Sequence, residues 1–378
     1  MKAVVWHGKE DVRVETVPDP AIRAPTDAVV RVTSTAICGS DLHLYAKLGF
    51  AMKEGDIIGH EPMGVVEEVG ADVEAVKPGD RVVVPFNIAC GACFMCEHGL
   101  QSQCETTQNR RFRKGAALFG YTHLYGGVPG GQAEFLRVPF ADYGPIKVPE
   151  GPRDERFLYL SDVLPTAWQA VEYAAIPEGG TVAVLGLGPI GQMCARIARH
   201  RGAERVFGVD LVPERLDLAR RHGIETIDFR DGDVPGRIVE LTAGRGVDSA
   251  IDAVGMESEG PALARALQAL KLKPDMLKAL SHTFRCVRRG GTVSIVGVYV
   301  GLVPMIPIGE LFDRQISIRM GQANVRRWVD DLLPLLGDDD PLAVEDLATH
   351  RVPLDDAPRM YELFQKKLDG CIKVVLQA

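Results

Sequence analysis

Four of the chain's eight cysteines, Cys90, Cys93, Cys96 and Cys104, fall within fifteen residues. Separations of this kind enclose one tetrahedral zinc in thiolates. Such a site is closed to substrate, so its zinc braces a lobe rather than reacting. A ferredoxin-type iron–sulfur run fits less well, because Cys104 comes late and is followed by Glu105 rather than proline. Disulfides are disfavoured in the reducing cytoplasm expected for this chain.

A second constellation is dispersed. Cys38 and His60 offer a soft sulfur and an imidazole, a natural zinc pair that still needs a third donor. Asp162 is the candidate, since a carboxylate in the apolar run Leu160–Thr166 is costly to bury unless it meets a cation. Taken singly, Cys38 also reads as a buried apolar residue, His60 as a core histidine, and Asp162 as the N-cap of a helix starting near Thr166.

The third signal lies further on. Gly186-Leu187-Gly188-Pro189-Ile190-Gly191 follows the apolar strand Thr181–Leu185 and opens a helix over Gln192–His200, the dinucleotide fingerprint in its required context. Gly186 permits the turn, Gly188 lets backbone amides approach a pyrophosphate, and Gly191 lets helix and strand pack closely. Asp210, 19 residues after Gly191, ends the next strand, where a carboxylate accepts from ribose hydroxyls and repels a 2′-phosphate. NAD is therefore favoured over NADP, although Arg215 nearby offers a guanidinium to a phosphate.

These residues need a scaffold. At 378 residues and 46% apolar, the chain is long enough for two cores. Its first 150 or so residues read as short strands broken by Gly and Pro, including Ala28–Ile37 and the strand–turn–strand Gly64–Val84, and predict an antiparallel barrel. Cys38 and His60 stand at strand junctions, where a rigid scaffold presents side chains. From Thr181 strands alternate with helices, predicting a parallel, doubly wound sheet. The long connection Met256–Asp275, helical over Leu263–Leu272, reads as functional or as an interface. The tail reads as a helix near Arg359–Leu368 and a strand Ile372–Leu376 that return to the first domain. The expected division is 1–165 with 322–378, and 166–321.

A net charge of −8 argues against a nucleic-acid partner, and the basic run Arg110–Lys114 is too short to reverse it. No run of residues approaches a membrane span. Met1–Trp6 reads as a strand rather than a secretory leader, so a soluble, cytoplasmic protein is expected.

Together, Cys38-Gly39-Ser40-Asp41, Gly59-His60-Glu61, the four-cysteine lobe, and Gly186–Gly191 with Asp210 resemble the zinc-containing medium-chain dehydrogenase/reductases of the alcohol dehydrogenase superfamily. Val84–Gly91, Gly130–Glu134, Leu160–Thr166 and Asp252–Glu257 are most similar to the formaldehyde dehydrogenase-like branch. The resemblance implies an α/β chain with a GroES-like antiparallel β-barrel catalytic domain and a doubly wound Rossmann domain. It implies two zincs, with Cys38, His60 and Asp162 as ligands of the catalytic one and Glu61 as a nearby or alternate ligand. Ser40 and His43 match a proton relay. Thr166 falls beside the nicotinamide, Val296 and Val298 supply the backbone that holds it, Ala253 and Val254 are further cofactor-binding positions, and Lys373 falls where relatives place a cation on the pyrophosphate.

The implied activity is NAD-dependent hydride transfer to or from a small alcohol or aldehyde whose oxygen is held by zinc. A polyol dehydrogenase is the nearest enzymatic rival, and a non-catalytic NAD-binding protein the rival from another class. Relatives form homodimers or homotetramers, and the strand Gly291–Val298 is a candidate for pairing across subunits.

Overall fold

A computed structural model describes residues 1–46, 49–255, 278–299 and 306–378. The connection Met256–Asp275 lies outside the described residues. The chain divides into two compact units, Met1–Pro165 with Ala323–Ala378, and Thr166–Gln322.

The first unit begins with β1 (Lys2–Gly8), β2 (Asp11–Thr16), β3 (Ala28–Ile37) and β4 (Asp56–Ile57). There follow β5 (Pro62–Val69), β6 (Arg81–Val83), β7 (Phe135–Val138) and β8 (Ile146–Lys147). A small sheet runs β2–β1–β4, and a larger one is centred on β3, which pairs antiparallel with β5 and β7. The alternation of Ala28–Ile37 predicts a half-buried strand, yet only Arg31 is exposed. The difference follows from position, because neighbours flank β3 on both edges. Val30 and Val32 enter a core with Val66, Val82, Phe119 and Leu136. Thr33 and Ser34 both donate hydrogen bonds to Asp154.

The second unit holds β9 (Thr181–Leu185), β10 (Arg205–Asp210), β11 (Glu225–Asp228), β12 (Val247–Asp252), β13 (Val287–Ile295) and β14 (Ser317–Met320). They form one parallel sheet in the order β11–β10–β9–β12–β13–β14. Helices Pro189–His200, Pro213–Arg221, Val234–Leu241 and Lys278–Cys286 alternate with the strands. Leu185, Phe207, Val209, Phe284 and Val293 share its core, and burying a side chain such as Phe207 contributes about 1.5–3 kcal/mol. Because β13 has β12 on one side and β14 on the other, it has no edge with which to pair across subunits. The strand at that edge is β14.

The tail closes the first unit with β15 (His350–Pro353), the helix Ala357–Gln365 and β16 (Val374–Gln377). β16 runs antiparallel to β3, with Val374 opposite Ile37, while β15 joins β16 in parallel. Among the described residues, no helix is long and apolar enough to cross a membrane.

Candidate functional site

Strand pairing in the first unit assembles the dispersed donors. Cys38 follows β3, and pairing of Thr35 with Pro62 brings His60 and Glu61, just ahead of β5, to the same end of the sheet. Pairing of Ile37 with Val374 brings Lys373 there as well. Asp162 directly precedes the helix Val163–Ala174, the position of a capping residue. Its Oδ2 nevertheless lies 3.5 Å from Cys38 Sγ and 3.4 Å from His60 Nε2. Cys38, His60, Glu61 and Asp162 are all buried and present ligand atoms within 4.8 Å of one another.

Ser40 and Asp41 follow Cys38 on the helix Gly39–Ala46. Ser40 Oγ is 3.3 Å from His60 Nε2, and His43, three residues on and buried, shares its helical face. Asp41 was quoted in the sequence motif without a role, yet its carboxylate is central. Its Oδ2 accepts from the Cys38 amide at 2.9 Å, and its Oδ1 lies 2.9 Å from His60 Nδ1. Carboxylates commonly orient metal-ligating histidines in this way. The rings of Phe86 and Tyr121 stand nearly perpendicular to the His60 imidazole, each with its centroid 6.2 Å away.

The local charges suit a cation. Burial, reinforced by the charges of Glu61 and Asp162, pushes the Cys38 thiol up to about 11. Burial works to lower His60, but the charge of Asp41 and hydrogen bonds to Asp162, Asp41 and Cys38 carry it well above its ordinary value. A thiol, an imidazole and carboxylates gathered under such negative pressure are the donor set of zinc. Lys373, which the resemblance sets on the pyrophosphate, meets a carboxylate of this cluster. Its ammonium is fully buried, 2.6 Å from Glu61 Oε2, so its charge is engaged by that carboxylate.

Cys90, Cys93, Cys96 and Cys104 likewise converge within 4.8 Å, and every cysteine of the chain is free of disulfides. Amides point at the sulfurs: Glu105 N donates to Cys93 Sγ at 3.3 Å and Cys90 N to Cys104 Sγ at 3.4 Å. Burial opposes ionisation of Cys93, but the amides of Cys96 and Glu105 and the neighbouring thiols bring it down to about 6. All four donors are sulfur, so a bound zinc is enclosed.

In the second unit, Gly186 adopts φ +89°, and a Cβ on Gly191 would stand 1.8 Å from the Gly186 carbonyl oxygen. Gly188 precedes the helix and Pro189 and Ile190 begin it, so Pro189 occupies the first helical position without forfeiting a hydrogen bond. Asp210 Oδ2 accepts from Leu187 N at 2.7 Å, and Oδ1 from Leu211 N and Val212 N at 2.7 and 2.9 Å. Arg215 Nη1 lies 3.7 Å from Asp210 Oδ2. Gln192, unassigned from the sequence, ties Leu187 O to Arg215 O.

Asp252 was also missed. Its backbone oxygen accepts from Val296 N and Gly297 N, and its side chain from Val254 N and Tyr299 Oη. It thereby joins the loops that carry Ala253, Val254, Val296 and Val298. Ala253 N donates to Leu185 O, Val298 is exposed, and Thr166 is buried.

The family described as alcohol dehydrogenase GroES-like domain matches residues 24–150, and that described as zinc-binding dehydrogenase matches 189–277. An uncharacterized zinc-type alcohol dehydrogenase-like protein, AdhB of Bacillus subtilis, is 43% identical over 383 residues, covering 100% of both chains. Formaldehyde dismutase of Pseudomonas putida is 35% identical, over 97% of this chain and 95% of that one. The solved structure of alcohol dehydrogenase TADH from Thermus sp. ATN1 superposes with a TM-score of 0.85 at 36% identity, covering 100% of this chain and 99% of that one. Matched along its full length by relatives of this description, the chain belongs to the zinc-type alcohol dehydrogenase family of medium-chain dehydrogenases.

Proposed function

We propose that the chain is an NAD- and zinc-dependent oxidoreductase that transfers hydride between NAD and a small alcohol or aldehyde. The observation that carries this reading is the buried cluster of Cys38, His60, Glu61 and Asp162, with Ser40 on its inner edge and Asp41 behind it. Cys38, His60 and Asp162 hold a zinc that, when bound, polarises a substrate oxygen, with Glu61 beside it as an alternate donor. Cys90, Cys93, Cys96 and Cys104 hold the second zinc.

Ser40 Oγ accepts the proton that a substrate hydroxyl gives up, and His43 on the same helical face carries it onward. NAD, when bound, accepts or supplies the hydride. The turn Gly186–Gly191 would hold its pyrophosphate and Asp210 the adenosine ribose, with Thr166, Ala253, Val254, Val296 and Val298 as the positions that would receive the nicotinamide. Arg215 beside Asp210 narrows the preference for NAD over NADP without abolishing it.

Formaldehyde is among the substrates we expect, a reading supported by the formaldehyde dismutase relative. We further propose that the catalytic domain comprises 1–165 with 322–378, that the nucleotide domain comprises 166–321, and that the protein is a cytoplasmic homodimer or homotetramer. The outer strand β14 with exposed Met320, near exposed Ile308 and Phe312 in sequence, supports self-association. The test is NADH absorbance with a panel of short alcohols and aldehydes, run with and without glutathione. Turnover without thiol is expected. No turnover on any substrate, with zinc and NAD bound, would leave the non-catalytic reading standing.

A further inference from the structure

Behind Asp41 lies a chain of buried polar groups that neither the metal cluster nor the nucleotide turn uses. Gln132 Nε2 donates to Asp41 Oδ2 at 3.4 Å and to the Ala36 carbonyl at 3.1 Å, and Gln132 Oε1 accepts from Tyr361 Oη at 2.8 Å. Asp41, Gln132 and Tyr361 are each fully buried. The side chain of Gln132 has no room to move. Gly59, at φ +96°, leaves the space it fills, since a Cβ there would stand 2.3 Å from Gln132 Cγ. Its backbone is fixed on both sides, accepting from Val4 N and donating to Ile58 O. Tyr361, on the helix Ala357–Gln365, packs its ring on Tyr45 with centroids 5.4 Å apart.

The direction of this chain is dictated by its members. Asp41 Oδ2 and the Ala36 carbonyl only accept, so the amide nitrogen of Gln132 must face them, and its oxygen must then take the Tyr361 hydroxyl proton. An inverted amide would set an oxygen against two acceptors. Asp41 has two tasks, Oδ2 on the Cys38 amide and Oδ1 in a 2.9 Å ion contact with His60 Nδ1, and neither Oδ1 nor Nδ1 makes a well-formed hydrogen bond among the described residues. A second donor on Oδ2 stops the carboxylate from rotating off His60.

We infer that Gln132 and Tyr361 are positioning residues for the catalytic metal site: Tyr361 fixes the Gln132 amide, Gln132 fixes the Asp41 carboxylate, and Asp41 fixes His60 with Nε2 towards Cys38 and Asp162. This inference rests on the zinc reading of that cluster. It reaches into the C-terminal segment, which supplies Tyr361.

The test compares the full-length protein with Gln132→Met, which keeps the side chain's length without its polar groups, Tyr361→Phe, which removes one hydroxyl, and the double variant. Cobalt(II) placed in the Cys38–His60–Asp162 site reports ligand geometry through its visible bands. Zinc release to a chelator reports affinity, with the four-cysteine zinc as internal standard. The bands should shift in both single variants, and zinc should leave this site about tenfold faster in Gln132→Met, the low end for groups that orient a metal-bound histidine. Because Tyr361 acts through Gln132, the double variant should match Gln132→Met alone. Spectra superimposing on wild type, additive effects, or equal acceleration at both zinc sites would each overturn the inference. Wild-type protein holding both metals without turnover would sink the proposed activity and leave this inference intact.

Discussion

Lys373 Nζ lies 2.6 Å from Glu61 Oε2, with both side chains fully buried, at the edge of the cluster formed by Cys38, His60 and Asp162. Burial raises the Glu61 carboxyl, which the Lys373 charge offsets only in part, whereas burial works to lower the Lys373 ammonium but the Glu61 charge, with those of Cys38 and Asp162, carries it above its ordinary value. Removing one partner leaves an uncompensated buried charge, which costs about 3–5 kcal/mol. Lys373→Met should therefore lower stability by that amount in denaturant titration. Adding Glu61→Gln should restore most of it, whereas equal stability of wild type and Lys373→Met would show that the pair carries no such strain.

Asp41→Ala removes the partner of His60 Nδ1 and one acceptor of the Cys38 amide. We expect zinc affinity at the catalytic site to fall about 10–100-fold, read by chelator competition, while the cysteine lobe keeps its zinc. Unchanged affinity would mean that His60 is oriented by its packing against Phe86 and Tyr121.

The cysteine lobe should be acid-sensitive. Cys93 is lowered from 9.0 to about 6, so its thiolate contributes stability that is fully present above about 9 and is lost as pH falls through about 6. Zinc retained after dialysis should thus be complete at pH 8 and fall at pH 5. Full retention by the lobe at pH 5 would contradict this assignment of the thiolate.

Gly191→Ala would force a methyl group to within 1.8 Å of the Gly186 carbonyl oxygen and so open the turn proposed to hold the pyrophosphate. NAD binding by calorimetry should be lost, with zinc content and the first unit's stability retained. Wild-type NAD affinity in this variant would place the nucleotide elsewhere.

Much of the fold and of the candidate site is legible in the sequence. The cysteine lobe and the turn Gly186–Gly191 are local in sequence, so spacing alone identifies them. The donors Cys38, His60 and Asp162 are not local. The cost of burying Asp162 makes it a candidate third donor, helix capping explains it as well, and the family resemblance is what favours the ligand reading. The burial of Ala28–Ile37 was misread because alternation cannot tell a central strand from an outer one. The strand Gly291–Val298 likewise gave no sign that β14 would cover it. A lone lysine such as Lys373 carries no mark in sequence of the buried acid it meets. Gln132, Tyr361, Asp41 and Asp252 act through hydrogen bonds between distant segments, and such partners have no local pattern to betray them.

The central claim is that Asp162 is a metal ligand rather than a helix cap, and zinc content decides it. Wild-type protein should hold about two zincs per chain, and Asp162→Ala about one, with the fold intact and NADH formation nearly abolished. Two zincs and an unchanged rate in Asp162→Ala would return Asp162 to helix capping and contradict the account.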